Sequence, residues 1–112
     1  AGSTISVVQL EHMLKEREEG TRDFVLIDVR EPNEYEINRI PGSVLIPKGD
    51  FLNGSALEQL PSDKQIVMHC KSGVRSVDIF AIVKGAGYAD AVHVGGGVVA
   101  WVNQVDPSQP SY

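Results

Sequence analysis

Cys70 is the only cysteine in the chain, and it stands in the segment His69-Cys70-Lys71-Ser72-Gly73-Val74-Arg75-Ser76. The apolar run Ile66-Val67-Met68 precedes it and a stretch of helical pattern follows. The first N–H groups of a helix have no intrahelical partner. A tight loop at such a junction aims several of them at one point and makes a cradle for an anion. A sulfur at the mouth of that cradle gains from those donors, from the positive helix end, and from the cations Lys71 and Arg75. All three favour the thiolate, the form that attacks electrophiles. Gly73 permits the backbone angle the loop needs. The segment reads as a nucleophile, Cys70, with Lys71, Ser72, Gly73, Val74, Arg75 and Ser76 lining a seat for its substrate. A free cysteine that ends a buried strand often serves only as a small hydrophobe; the surrounding cations, glycine and helix start outweigh that reading here.

Asp28 and Arg30 follow the run Phe24-Val25-Leu26-Ile27 and face the same rim. They either orient the Cys70 loop by hydrogen bonds or form a structural salt bridge, and charge alone does not choose between the two. Successive strand residues point to opposite faces, so His69 reads as a packed strand histidine rather than a base for Cys70. His93 reads as structural and His12 as exposed on a helix. None of the three has metal-ligand spacing with Cys70. Gly95-Gly96-Gly97 is not followed by the residues of a phosphate-binding loop and reads as a turn near the rim. Trp101 reads as a packing residue.

These side chains need a scaffold. Ser6 and Gln9 form a capping box ahead of a helix whose Val7, Leu10 and Leu14 share a face, with Gly20 as its stop. The runs 24–27, 44–46 and 66–68 are apolar without alternation, as expected of strands buried on both faces in a parallel sheet, and 91–94 reads as a fourth buried strand. Helical patterns over 33–37, 54–60 and 72–84, with Val77, Phe80 and either Val83 or the stem of Lys84 along one side of the last, fall between them. A short helix through Trp101 ends the series. This alternation predicts an α/β, three-layer fold with a central, mostly parallel sheet flanked by helices, with the site at the carboxyl ends of the strands.

The chain has 112 residues, which fits one domain over 1–105 and an irregular tail over 106–112. Ala1-Gly2-Ser3 reads as an expression scar. Lys plus Arg is 10 and Asp plus Glu is 15, a formal charge of -5, which argues against nucleic acid or an anionic membrane as partner. A single cysteine excludes an internal disulfide, a CxxC pair and a multi-thiolate zinc site. No apolar run approaches the ~18 residues of a membrane span, and no signal peptide is visible. The expectation is a cytoplasmic protein.

The segment Cys70-Lys71-Ser72-Gly73-Val74-Arg75 resembles the active-site loop of the rhodanese family of sulfurtransferases. Leu26-Ile27-Asp28-Val29-Arg30-Glu31 is similar to that family's first signature, Ile40-Pro41-Gly42-Ser43 with Ile46-Pro47 to its second, and Gly87-Tyr88 with Gly95-Gly96-Gly97 and Trp101 to its closing one. Arg39 stands where the family often has histidine. Cysteine-dependent phosphatases place one more residue between cysteine and arginine, so the shorter ring suits a single sulfur better than a phosphate. The resemblance implies a sulfurtransferase: Cys70 takes a sulfane sulfur from a small anionic donor, thiosulfate-like or a protein persulfide, and passes it on as a persulfide. It implies neither a cofactor nor a metal. With no second thiol in the chain, the acceptor is external. The stretch Gly87 to His93 and the ending from Trp101 to Pro107 are most similar to the C-terminal rhodanese domain of adenylyltransferase-sulfurtransferases. That likeness implies a sulfur-carrier protein as acceptor and an adenylating domain in the full-length protein, in molybdopterin, thiamine or cysteine biosynthesis. The alternatives are a stand-alone thiosulfate sulfurtransferase and a non-catalytic rhodanese-like binding or regulatory module.

Overall fold

The computed structural model describes residues 3–112; residues 1–2, which hold most of the stretch read as an expression scar, lie outside them. Among the described residues the sheet has the strand order β1-β5-β4-β2-β3, with β1 Thr4–Ile5, β2 Phe24–Asp28, β3 Val44–Leu45, β4 Gln65–His69 and β5 Val92–Val94. Every pairing is parallel. The predicted α/β architecture is the one observed, with β1 as a strand the apolar pattern did not announce.

Period-two alternation divides the core. Phe24 and Leu26 of β2, Val67 of β4 and Val94 of β5 pack with Val7, Leu10 and Met13 of α1 (Val7–Glu18) and with Val98, Trp101 and Val102 of α5 (Gly97–Gln104). Ile27, Ile66 and Met68 face the other way. They pack with Phe51 of α3 (Lys48–Leu52), Ala56 of a 3-10 turn at Ala56–Gln59, and Ile79 and Val83 of α4 (Val74–Gly85). Each fully buried Leu or Ile among them contributes roughly 1.5–3 kcal/mol relative to exposure. The capping box at α1 forms as read: Ser6 Oγ accepts from Gln9 N at 3.1 Å, and Gln9 Oε1 from Ser6 N at 2.8 Å.

Two local readings need correction. Val83 is buried and Phe80 packs against the core on the inner side of α4 as read, but Ser76 and Ile79 share that side and Val77 is 49% exposed. The helix starts at Val74, after Gly73, rather than at Ser72, and Ser76 is turned in toward Cys70; that anchor fixes the phase of everything after it. The segment after β3 also forms α3, which no periodicity revealed because it spans little more than one turn.

From β2 the chain steps to β3 on one side, and from β4 to β5 on the other. The crevice between β2 and β4 is therefore the switch point of the sheet, where open α/β sheets accept ligands. Asp28 pairs in register with His69 there, so Val29-Arg30 and Cys70 leave the sheet side by side. The remaining helix, α2 (Pro32–Ile37), buries none of its residues and follows directly from the end of β2.

Candidate active site

Gly73, with φ +109°, turns the chain from β4 into α4. Its amide lies 3.1 Å from Cys70 Sγ, and the amide of Ser76 lies 3.4 Å from the same sulfur. The thiol donates to Ser76 Oγ at 3.6 Å, while the Ser76 hydroxyl donates to Gly73 O at 3.2 Å. Cys70 is 1% exposed and Ser76 fully buried. Two backbone donors thus converge on one sulfur at a helix N-terminus, the arrangement that stabilises negative charge on it.

The loop is held from behind by α5. Val98 N donates to Cys70 O at 2.9 Å and Val99 N to Lys71 O at 3.0 Å. The approach that makes these bonds possible requires glycine: a Cβ on Gly97 would lie 2.6 Å from Lys71 O and closer still to Cys70 O, and its φ of +55° is unfavourable for other residues. The glycine run read as a turn near the rim therefore clamps the loop by its carbonyls.

Each loop cation has a partner. Arg75 forms a bidentate pair with Glu34 of α2, at 2.6 and 2.8 Å. Arg75 holds the Glu34 carboxyl down to about 2. Glu34 raises Arg75 above its ordinary range against the opposing effect of burial, with smaller contributions from Cys70 and Tyr112. Charge-assisted forks of this kind are short and geometrically specific. Lys71 Nζ lies 4.2 Å from the centre of the Tyr112 ring. Ser72 is exposed, and Val74, at the loop tip, is 73% exposed.

Asp28 and Arg30 form a fully buried salt bridge at 2.7 Å. Arg30 also donates to Asn38 Oδ1 (2.9 Å), Asn38 O (2.7 Å) and Tyr112 Oη (2.9 Å). Burial alone would depress its pKa, but the bonds to Asp28 and Tyr112 outweigh it and raise it. Among the described residues no hydrogen bond runs from either side chain to the Cys70 loop. The direct orienting contact considered for them is absent, and their link to the loop passes through Tyr112 and Glu34. His69 packs beside them, with Nε2 3.8 Å from Asp28 Oδ2, and burial pushes its pKa down. Cys70 packs instead in the opposite apolar cluster, so His69 is not placed to act as its base. His93 is partly buried against Phe80, His12 is exposed and Trp101 is buried.

The structure thus brings Cys70, Gly73 and Ser76 together and sets Lys71 and Arg75 around them. Glu34 and Tyr112 escaped the sequence reading. Glu34 carried one signal, its place three residues after Glu31 at a proline-started helix; its side chain accepts from Glu31 N at 3.0 Å. Tyr112 carried none, since it lies in a segment without periodicity.

The profile of the family described as "Rhodanese-like domain" matches residues 8–104. The chain is 45% identical over 111 residues to the Mycobacterium tuberculosis protein named "Probable adenylyltransferase/sulfurtransferase MoeZ"; the aligned region is 99% of this chain and 27% of that relative's length. It is 32% identical over 88 residues to a protein of Allochromatium vinosum named "Sulfurtransferase", covering 79% of this chain and 80% of the relative. The crystal structure of a rhodanese-like domain protein from Staphylococcus aureus superposes with a TM-score of 0.76 at 28% identity, over 88% of this chain and 90% of that one. The profile match runs from the first helix to the last residue of the fifth, and the chain belongs to the rhodanese family.

Proposed function

We propose that this rhodanese domain is a sulfurtransferase working through a persulfide on Cys70. The relatives named for sulfur transfer support the activity; the observation that carries the mechanism is the pair of amides on Cys70 Sγ, from Gly73 at 3.1 Å and Ser76 at 3.4 Å. The thiolate attacks the outer sulfur of a donor such as thiosulfate. A new S–S bond forms, the donor's S–S bond breaks, and sulfite leaves with the bonding pair, so the charge stays on the terminal sulfur of the persulfide. The loop amides are placed to hold that sulfur as an oxyanion hole holds oxygen. Lys71 and Arg75 draw the anionic donor to the mouth. An external nucleophile then takes the terminal sulfur and restores the thiolate, since Cys70 is the chain's only thiol.

The acceptor we propose is a sulfur-carrier protein, activated by an adenylating domain of the same full-length protein. The support is the likeness to a relative named for both activities, of which this chain spans 27%. The exposed loop tip at Val74 suits an approaching protein chain. Among the described residues no helix is long and apolar enough to cross a membrane, and a reducing compartment such as the cytoplasm would keep the thiol available.

Thiosulfate:cyanide turnover tests the role of Cys70. Cys70→Ser and Cys70→Ala are expected to reduce it to background. Turnover retained by either variant contradicts the assignment.

A further inference from the structure

The family profile stops at residue 104, yet the segment beyond it is bonded to the rim of the Cys70 loop. The tail leaves α5 with the amides of Val105 and Asp106 both on Trp101 O, at 2.8 and 2.9 Å. The Asp106 carboxylate closes a turn, accepting from Ser108 N at 3.3 Å, from Ser108 Oγ, and from Gln109 Nε2 at 3.0 Å. The Gln109 amide then bonds the Arg39 backbone in both directions, at 2.9 and 2.8 Å. Pro110 O accepts from Asn38 Nδ2 at 2.7 Å. Pro107 and Pro110 restrict the undocked tail and so lower the entropy lost on docking.

Tyr112 lies at the far end of this strap. Its hydroxyl accepts from the buried Arg30 at 2.9 Å and donates to Glu34 Oε2 at 2.6 Å; its ring faces the Lys71 ammonium at 4.2 Å. One side chain therefore touches Lys71 directly and Arg75 through Glu34. Tyr112 is 39% exposed, and its hydrogen bonds and cation–π contacts are with charged groups.

We propose that Tyr112 is a positioning residue for donor binding: its ring fixes Lys71 and its hydroxyl fixes Glu34 on Arg75, so the docked tail completes the anion-binding mouth over Cys70. The inference rests on the reading that this mouth receives an anionic sulfur donor. A lysine on a loop loses rotamer freedom when an anion binds; a lysine already held against an aromatic face loses less at that step. Arg30, locked by Asp28, gives the hydroxyl a rigid anchor, and order is carried outward from the core to the mouth.

The test is thiosulfate binding, by calorimetry, to the 112-residue chain carrying Cys70→Ser, which cannot be loaded with sulfur. Tyr112→Leu is expected to weaken binding about two- to fivefold, the worth of an exposed cation–π contact, when Lys71 is present. In a Lys71→Met background the effect should shrink to the part that the hydroxyl contributes through Glu34 and Arg75. Tyr112→Phe, which keeps the ring, should bind more tightly than Tyr112→Leu. A general structural brace would instead give the same weakening in both backgrounds, and that result overturns the proposal. So does unchanged binding in Tyr112→Leu, equal weakening in the Phe and Leu variants, or no thiosulfate binding by the Cys70→Ser parent. Sulfur transfer is judged separately by turnover of the unmodified chain, so the two can fail independently.

Discussion

The sulfur of Cys70 is stabilised by groups that have no other use for their hydrogen bonds, because the amides of Gly73 and Ser76 open a helix and point away from it. A second set of residues fixes the ground on which that loop stands. Arg30 is fully buried and spends its donors on Asp28, Asn38 and Tyr112. Removing one member of such a pair leaves an uncompensated charge in the interior, which is worse than having neither. Arg30→Met, which strands Asp28, is expected to cost about 3–5 kcal/mol. Urea unfolding measures it, and a loss below about 1 kcal/mol, the level of a surface pair, would show that Asp28 finds solvent. The sequence placed both residues at the right rim, because the end of an apolar run is easy to read. It left their role open, because the partners that decide it, Asn38 and Tyr112, lie far away along the chain.

At the scale of elements, the Cys70 loop is a joint between three: β4 delivers it, α4 receives it, and the first turn of α5 grips its carbonyls. Gly97→Ala drives a methyl into the carbonyls of Cys70 and Lys71 and forces a non-glycine residue to a φ of +55°. Backbone strain and overpacking of this kind cost about 1–3 kcal/mol, and the loop must shift to relieve them. The variant should show both a lower unfolding midpoint and slower thiosulfate:cyanide turnover. Normal turnover in a destabilised Gly97→Ala would mean that the clamp serves stability alone. Strands β2 to β5 and the longer helices were legible because apolar runs and the Ser6–Gln9 capping box act locally, whereas the two residues of β1 carry no such run. The phase of α4 was not: Val77, an apolar residue in a helical pattern, lies outward because Ser76 is held inward by its bonds around Cys70. A polar residue with a task in the site displaced the register that hydrophobicity suggests.

Over the whole molecule, acid should act through groups buried in the interior. His69 is fully buried beside Asp28 and Arg30, and burial pushes its pKa below the ordinary 6.5; burial lowers His93 as well. The unfolded chain takes up protons at these histidines as pH falls through 6.5, while the folded chain does so only at lower pH. Stability is therefore full above that pH and declines below it. Glu34, held down to about 2 by Arg75, adds a further loss only as pH falls from its ordinary 4.5 toward that value. Unfolding free energies measured between pH 6.5 and about 5 should fall with acid in the wild type and fall less in His69→Phe. Identical slopes would remove His69 from the account.

The acidic body, with its net charge of -5, sets the cations of the loop in relief: Lys71 is held on the Tyr112 ring and Arg75 on Glu34, beside the Cys70 loop. Intact mass after thiosulfate treatment tests that arrangement most directly. The account predicts a gain of one sulfur atom, removed by cyanide or a reductant and absent in Cys70→Ala. A gain that persists in Cys70→Ala, or no gain together with hydrolysis of an aryl phosphate, would contradict it.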